Sequence, residues 1–579
     1  MRKLSILSAF KALAKRDTGN VTIITALSAI PLVAAVGAAI DYANISRDLT
    51  SFQAAIDTAL VAVVSSDKAS ISGLSGDALA ARMAELKGKA LDYMEKNYEA
   101  DFVQSVADTL NLAIDGQKVT ITATHQLPIT WMHMFGILEP TVTITSEVKK
   151  AARPIELVMV MDTTGSMGTT YMDQAKTASR NLLTKLYGGN ASTVKENENI
   201  RIGLVPFSGA VRLNTGAYDF DLDWIDTTGA ATMSKLNFTN TSFHNYQAWS
   251  NLRNSSTNAA IPWNGCVEAR WGSYKTDDTA PNSGDTLFTP YFAPDEPTYK
   301  NSSNDGLANS YIGTSGTPNE NTGLSTTTIN ADGSNPPTKP YPNTTQMMER
   351  QNNQAKYGTS TAKRSISPES SSPAVGPWSN CAASAVVPLT YDRSKVEAGI
   401  NAMTARGPTV IPEGLAWGWR VLSPTEPFTK VEAGPTQAAS TISPYNDARW
   451  QKIMVLMTDG ENDVLSSGNQ VSSLNGTWYS AYGRGKQATA TNRFGTTTAS
   501  AANGALNTAM STLCTNIKAQ KITLYTVAFR VNSSTILNNL KNCATSEAHY
   551  SYAADGVALA QIFNHIGENV INTAIYISK

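Results

Sequence analysis

The first part of the chain shows helical patterns of apolar residues. Residues 20–40 carry no charged side chain. At 1.5 Å per residue they would extend about 30 Å, the thickness of the hydrocarbon core of a bilayer. We therefore predict a transmembrane helix over 20–40, with Pro31 as a tolerated kink. Apolar residues at three- and four-residue steps from Ile45 to Val63 predict that this helix continues, and a similar stripe predicts a second helix over 77–97.

Two later segments alternate with a period of two. Val119–Thr124 and Thr141–Val148 place apolar side chains at every second position, which is typical of half-buried strands. With the preceding helical stretch they predict a small helix-and-strand module over 41–152. The apolar segment Trp131–Leu138 lies between the two strands. We expect it to belong to the core of this module; the alternative is that it rests on the membrane.

The pattern changes at residue 155, where the predicted strands become apolar on both faces. Ile155–Met161 is a near-continuous apolar run, as in a strand that helices cover on both sides. Further strands and helices alternate after it, which predicts an α/β fold with a doubly wound, mainly parallel sheet. The later strands are predicted at 200–207, 210–213, 452–457, 522–529 and 550–552, and the helices at 171–186, 394–403, 412–422, 501–519 and 557–572.

An insertion interrupts this alternation between residues 214 and 388. It is rich in Asn, Ser, Thr, Gly and Pro, and we expect residues 301–376 to be loop-like or disordered, with few apolar side chains that could join a core. The predicted α/β domain therefore consists of residues 153–213 plus 389–579, with the partly disordered insertion 214–388 on its rim.

The charged residues indicate which class of partner the protein can bind and how it is oriented in a membrane. The chain has 46 basic and 47 acidic residues, a net charge of −1, which argues against a nucleic-acid-binding protein. The first sixteen residues carry five basic side chains and no acidic one. The positive-inside rule then predicts that the tail 1–19 is cytoplasmic and that the rest is exported. A cleaved signal peptide and a buried core helix are the alternatives to a retained anchor.

Cysteine usage fits an oxidising compartment. The four cysteines allow three pairings, and domain context favours Cys266–Cys381 and Cys514–Cys543. Buried free thiols are the alternative.

Oxygen-bearing side chains cluster where predicted strands end. Asp162, Thr164 and Ser166 follow the first buried strand, and Gly165 would let this loop turn tightly. Loops at 407–414 and 457–462 should reach the same edge of a parallel sheet, because ligands bind beyond the carboxyl ends of its strands. Carboxylate and hydroxyl oxygens suit Mg²⁺, Mn²⁺ or Ca²⁺ rather than zinc.

These loops resemble the von Willebrand factor A family and its metal-ion-dependent adhesion site (MIDAS). The resemblance assigns Asp162, Thr164 and Ser166 to the first loop, Thr409 to the second and Asp459 to the third. Thr164 replaces the commoner Ser but keeps the hydroxyl. The resemblance implies a Mg²⁺-type ion (or Mn²⁺ or Ca²⁺) with one position open for a carboxylate of a protein partner.

The whole layout resembles the TadG-like proteins of bacterial Tad (tight adherence, Flp pilus) assembly systems. The residues that carry this likeness are 16–22, 409–424 and 457–462. It implies a single-pass inner-membrane protein that is held by its N-terminal helix, with the bulk of the chain in the periplasm, and that binds an acidic side chain of a pilus or envelope protein. We do not expect it to be an enzyme.

Two other functions compete with this interpretation. One is a secreted or surface-exposed, metal-dependent adhesin, which would be shed from the cell and not retained in the inner membrane. The other is a metal-dependent enzyme, which would need a general base beside the ion. Glu413 and Glu461 are the carboxylates of the second and third loops that could serve as that base.

Overall fold

The computed structural model divides the chain into two compact units, which comprise residues 1–152 with 572–579 and residues 153–571. The structure describes residues 20–64, 76–98, 100–115, 118–152, 154–189, 192, 194–296, 309, 311–312, 348, 351–361, 363–367, 375–447, 449–465, 475–486, 493–496, 498–573 and 575–577. The predicted cytoplasmic tail 1–19 lies outside these ranges.

The first unit packs helices against a small antiparallel sheet. The strand order is β1-β2-β3-β16, with every neighbouring pair antiparallel. Apolar residues of the C-terminal half of the first helix, such as Phe52 and Leu60, are fully buried against the second helix and the sheet. The elements are α1 (Asn20–Val64), α2 (Gly76–Asn97), α3 (Ala100–Ala107), β1 (Asn111–Asp115), β2 (Lys118–Gln126), β3 (Thr141–Ala152) and β16 (Ile575–Ile577).

The N-terminal half of α1 differs from the C-terminal half because its apolar side chains are exposed. Ile24, Leu27, Ile30 and Val36 are each more than half exposed. From Ile24 onward the helix is long and apolar enough to cross a membrane, and only 11% of its most apolar window is buried. In a core helix of a soluble domain, most of these apolar side chains would instead be buried.

The expectation that Trp131–Leu138 belongs to the core is wrong. This segment forms the tip of the connection between β2 and β3, with a 3₁₀ turn at Met132–Phe135. The side chains of Met134 and Leu138 are 77% and 81% exposed. The reason is topological: the turn projects beyond the ends of both strands, so the core between helices and sheet does not reach it.

The second unit contains the mixed, mostly parallel sheet that the sequence predicts. Its strands follow the order β15-β14-β13-β4-β5, all parallel, with β10 antiparallel beside β5 and the short β6 and β8 continuing from the end of β5. The strands are β4 (Ile155–Asp162), β5 (Ile200–Phe207), β6 (Val211–Arg212), β7 (Leu252–Asn254), β8 (Cys266–Val267), β9 (Arg364–Ile366), β10 (Val387–Thr390), β11 (Lys430–Val431), β12 (Ser440–Thr441), β13 (Gln451–Thr458), β14 (Thr523–Phe529) and β15 (Tyr550–Ala553).

Helices cover both faces of this sheet. Val158 and Val160 of β4 pack on one side against α7, α8 and α9, whereas Leu157 and Met159 face α4, α6 and α10. Alternate side chains of a strand point to opposite faces, so an apolar run such as β4 is buried on both. The helices are α4 (Gly168–Tyr187), α5 (Asn245–Asn251), α6 (Arg393–Ala402), α7 (Ile411–Leu422), α8 (Ala502–Ala519), α9 (Ser534–Cys543) and α10 (Gly556–Thr573).

A buried ion-pair cluster joins the three central strands at their N-terminal ends. Glu156 on β4 accepts from Arg201 on β5 at 2.6 Å and from Lys452 on β13 at 2.5 Å. All three side chains are almost fully buried. Ser443 donates to the same carboxylate from its backbone and its hydroxyl. The cluster fixes the lateral register of the strands whose opposite ends carry the predicted metal loops.

The insertion contributes more core than the sequence suggests. The expectation that 301–376 is loop-like or disordered is wrong for residues 351–367, because Tyr357 and Ile366 are buried with Trp249 and Phe292. Residues 297–308 and 313–347 lie outside the described part of the chain. Disulfides connect Cys266 with Cys381 and Cys514 with Cys543, the pairing that domain context favours.

A second long connection, residues 459–498, lies between the predicted strand at 452–457 and the predicted helix at 501–519, and its packing was not predicted. Its described parts pack on the insertion: Tyr479 accepts from Asn237 at 2.7 Å, and Asn475 donates to Glu296 at 3.0 Å. Arg493 and Glu268 form a fully buried ion pair between the same two segments. Together they cover the outer side of α7, and every residue of that helix is consequently buried.

Candidate metal centre

The two predicted carboxylates lie side by side because their strands are neighbours. Asp162 is the last residue of β4, and Asp459 directly follows β13, which pairs with β4 in parallel. The strand order reverses here, since the chain passes from β4 to β5 on one side and returns to β13 on the other. Such a switch point leaves a crevice beyond the carboxyl ends of the strands.

Asp162 is fully buried and is held by hydrogen bonds to both carboxylate oxygens. Oδ1 accepts from the Thr164 backbone at 2.8 Å, and Oδ2 accepts from the Thr458 hydroxyl at 2.6 Å. Thr458 was not among the predicted site residues, although its position immediately before Asp459 was a usable signal. The hydrogen bonds fix both oxygens at the base of the crevice.

Three of the predicted oxygen donors form a chain of hydrogen bonds. The Thr164 and Ser166 hydroxyls are 2.9 Å apart, and Ser166 donates to Asp459 Oδ1 at 2.7 Å. Thr164 is buried, whereas Ser166 is exposed. The chain therefore runs from the buried base of the site to its open mouth.

Thr409 reaches the same place from the loop before α7. A methyl group built on Gly460 would lie 3.7 Å from Thr409 Oγ1 and 3.9 Å from Ser166 Oγ, so both hydroxyls lie beside this glycine. The Thr409 backbone exchanges two hydrogen bonds with Asp463, which joins the second loop to the third. All five predicted ligands thus come together at one edge of the sheet.

The glycine that allows the close approach of these loops is Gly407 and not Gly165. Gly407 has a φ of +79°, and a Cβ there would lie 2.9 Å from the Asn380 carbonyl. The Gly407 carbonyl accepts from the Gly165 backbone at 2.9 Å. Gly165 itself has no positive φ, and a Cβ there would meet that carbonyl at an ordinary 3.5 Å.

The electrostatics of the pair favour a bound cation. Burial, together with the neighbouring Asp162 charge, raises the pKa of Asp459 to about 7. Burial also raises the pKa of Asp162, against the hydrogen bonds from Thr164 and Thr458. Among the described residues, no cationic side chain hydrogen-bonds to either carboxylate, and Arg530 acts on Asp459 only at longer range. A divalent ion would relieve this repulsion.

The donor set decides which ions fit. Within the described part of the chain, no three His, Cys, Asp or Glu side chains come together as a metal cluster. The donors here are two carboxylates and three hydroxyls, which suit a hard cation such as Mg²⁺ or Mn²⁺. Asp162, Thr164, Ser166, Thr409 and Asp459 would hold the ion directly or through water.

An open cleft of about 360 Å³ adjoins the exposed side of these donors. Two of its walls come from segments that sequence reasoning did not connect with the site, namely the end of the insertion and the second long connection. No local signal could have identified them, because they join the site only through tertiary packing. The cleft is lined by Ser166, Asn380, Gly407, Pro408, Thr409, Asp463 and Trp478.

Neither candidate general base contacts the oxygen cluster. Glu413 is buried inside α7, accepts from the Trp417 indole at 2.9 Å, and has a pKa that burial raises. Glu461 belongs to the third loop, and its side chain is exposed.

Comparisons with known proteins give distant structural likenesses. The pilus adhesin SpaC from Lactobacillus rhamnosus GG, in its open conformation, is 11% identical with a TM-score of 0.30, over 80% of this chain and 33% of SpaC. The von Willebrand factor domain of the type V pili tip protein Mfa5 from Porphyromonas gingivalis is 11% identical with a TM-score of 0.30, over 74% of this chain and 98% of that domain. This chain thus spans about a third of the length of SpaC.

A third likeness is to proximal thread matrix protein 1 from the mussel byssus, with a zinc-occupied MIDAS motif. It is 10% identical with a TM-score of 0.18, over 73% of this chain and 97% of that protein. No family model matches the sequence, and no curated protein matches it. TM-scores this low do not support an argument about function.

Proposed function

We propose that this protein is a membrane-anchored component of Tad-type pilus assembly, with a doubly wound von Willebrand factor A domain that binds a protein partner through a divalent ion. The domain assignment is supported by the strand order β10-β5-β4-β13-β14-β15 with helices on both faces. In chain order this is 3-2-1-4-5-6, a common doubly wound arrangement.

The observation that carries the proposal is the hydrogen-bonded chain Thr164–Ser166–Asp459 above the buried Asp162. Four oxygen donors from two adjacent strand ends lie together, and Thr409 joins them from the loop before α7. Because Ser166 is exposed at the cleft, an ion held here has an open side. A carboxylate from a partner protein can complete its coordination there, which is the binding chemistry we propose.

The anchor is the N-terminal half of α1, whose exposed apolar surface is long enough to span a bilayer. The basic residues before it would keep the N-terminus in the cytoplasm and place the bulk of the chain in the periplasm. Two disulfides suit that compartment. We propose a binding role and no catalysis, because Glu413 is buried in α7 away from the cleft.

Titration calorimetry of the full-length protein with MgCl₂ and MnCl₂ tests the metal site. Asp162→Ala should abolish binding, because it removes the buried carboxylate at the base of the site. Glu461→Gln, an exposed acid of the third loop, is the matched control and should bind normally. Unchanged Mg²⁺ affinity in Asp162→Ala would exclude the proposed site.

Cell fractionation and pilus counts test the biological role. Retention in the inner membrane together with loss of pili in Asp162→Ala cells supports assembly. Release of the protein into the medium, with normal pili in the variant, would instead support the adhesin.

A further inference from the structure

The 131–138 loop carries exposed apolar side chains whose exposure neither the second unit nor the metal site explains. No acidic or basic residue other than His133 occurs from residue 127 to residue 138. Besides Met134 and Leu138, Phe135 and Ile137 are also exposed, at 54% and 44%. Apolar patches of this kind on a folded surface mark contacts with proteins or membranes.

A buried carboxylate fastens this loop to the anchor helix. Asp41 of α1 accepts from the backbone of Thr130 at 3.1 Å, of Trp131 at 2.9 Å and of Met132 at 2.6 Å. The Asp41 side chain is 1% exposed. Three donors at the start of a 3₁₀ turn converge on one acceptor, so the loop has a fixed position on the helix and does not hang free.

A glycine sets the depth of the loop along that helix. A Cβ on Gly37 would lie 2.7 Å from the Trp131 Cβ, so any larger residue there would displace the tryptophan. Gly37 precedes Asp41 by four residues, which places Trp131 about 6 Å toward the uncharged end of the helix. In membrane proteins, tryptophan is enriched at the depth where the acyl chains meet the headgroups.

The apolar surface of the loop is continuous with that of the anchor. A groove of about 310 Å³ runs between them and is lined by Leu32, Val33, Val36, Gly37, Ile40 and Trp131. Every one of these residues is uncharged, and the helix residues belong to the segment assigned to the bilayer. The occupant that fits a groove opening onto lipid is an acyl chain.

We propose that the 131–138 loop inserts into the outer interface of the lipid bilayer as a second membrane contact beside α1. Met134, Phe135 and Leu138 would enter the acyl region, and Asp41 would lie at the level of the headgroups. This inference rests on the proposed membrane anchoring. It adds that the first unit is held at a fixed height and orientation on the membrane, and not on a flexible stalk.

Single-cysteine labelling of the full-length protein in phosphatidylcholine vesicles tests this inference. The four native cysteines are paired in disulfides, so an introduced thiol is the one reactive site. A nitrobenzoxadiazole label at Leu138→Cys should lose emission when the vesicles contain lipid with a doxyl quencher near the headgroup. The same label at Ser51→Cys, exposed on α1 and about 15 Å beyond Asp41, should not.

A label at Val33→Cys, measured with a doxyl quencher deep in the acyl chains because this position lies about 12 Å below Asp41, separates failure of the inference from failure of the anchor. Without quenching at position 33, the proposed anchoring itself is wrong. With quenching at 33 but none at 138, the anchor stands and the interfacial loop is refuted. Blue-shifted but unquenched emission at 138 would mean that protein, such as a second copy, covers the loop, which also refutes the proposal.

Asp41→Ala tests the role of the carboxylate as a fastening. Releasing the loop should reduce quenching at position 138 and leave quenching at position 33 unchanged. Equal quenching at 138 with and without the Asp41 carboxylate would show that the loop does not depend on this contact for its position.

Discussion

Replacing Asp459 by Asn should stabilise the metal-free protein and remove its stabilisation by Mg²⁺. The carboxylate lies beside the buried Asp162, and burial with this neighbouring charge raises its pKa from 3.8 to about 7. An acid whose pKa is raised on folding stabilises the folded state most when protonated, at pH below 4. That stabilisation is lost as the pH rises from about 4 to about 7.

The magnitude follows from the size of the pKa change. A carboxyl that titrates near 7 in the folded chain and near 3.8 in the unfolded chain costs up to about 4 kcal/mol at pH 8. Asparagine keeps the shape and the oxygen that accepts from Ser166 but has no charge. In a chelator at pH 8, Asp459→Asn should therefore unfold at a higher temperature than the wild type, and the difference should shrink as the pH falls and vanish below about pH 4.

Adding Mg²⁺ should narrow this difference and close it at about one thousand times the dissociation constant, where binding stabilises by about 4.1 kcal/mol. At a concentration of one hundred times the dissociation constant, binding stabilises a protein by about 2.7 kcal/mol, and the wild type alone should gain it. Scanning calorimetry of the detergent-solubilised chain in chelator and in MgCl₂ measures both effects, with Glu461→Gln as the control acid in the same loop. Equal melting temperatures of wild type and Asp459→Asn in chelator at pH 8 would refute the repulsion between the two carboxylates.

Three further predictions concern the framework of the site. Thr458→Val should lower the unfolding free energy by about 1.5–3 kcal/mol in chelator, because it removes a hydrogen bond to a buried carboxylate, and Thr458→Ser should restore it in the same denaturant titration. Glu156→Ala should lower the unfolding free energy by about 3–5 kcal/mol, because the buried Arg201 and Lys452 lose their anionic partner. An unfolding midpoint in guanidinium chloride equal to that of the wild type would contradict this. Breaking the Cys514–Cys543 disulfide by a double Ser substitution should lower the unfolding free energy by about 3.6 kcal/mol. Breaking Cys266–Cys381, which closes the longer loop, should lower it by about 5 kcal/mol. A comparison of urea midpoints measures both losses.

The sequence determined the elements whose character depends on neighbouring residues. The apolar run of β4 and the helical stripes after it are local patterns, and they appear in the structure at nearly their predicted bounds. The same holds for the order of the site loops, because Asp162 and Asp459 each follow a strand that is recognisable from its own composition.

Other features depend on contacts between residues far apart in sequence. Trp478 and Asn380 line the cleft because two long connections fold against each other, and nothing in either segment indicates the other. Tyr357 was expected in a loop but is buried, since aromatic neighbours such as Phe292 come from residues more than sixty positions away. Composition cannot reveal such a core.

The 131–138 loop shows the limit most clearly. Its sequence established that it is apolar, but apolar side chains are buried either in a core or against a membrane, and the same pattern serves both. Only the tertiary structure excluded the core, because the Asp41 carboxylate and the Gly37 contact hold the loop beyond the strand ends, beside the exposed part of α1. Hydrophobic patterning fixes which residues leave water, and the geometry of long-range contacts fixes where they go.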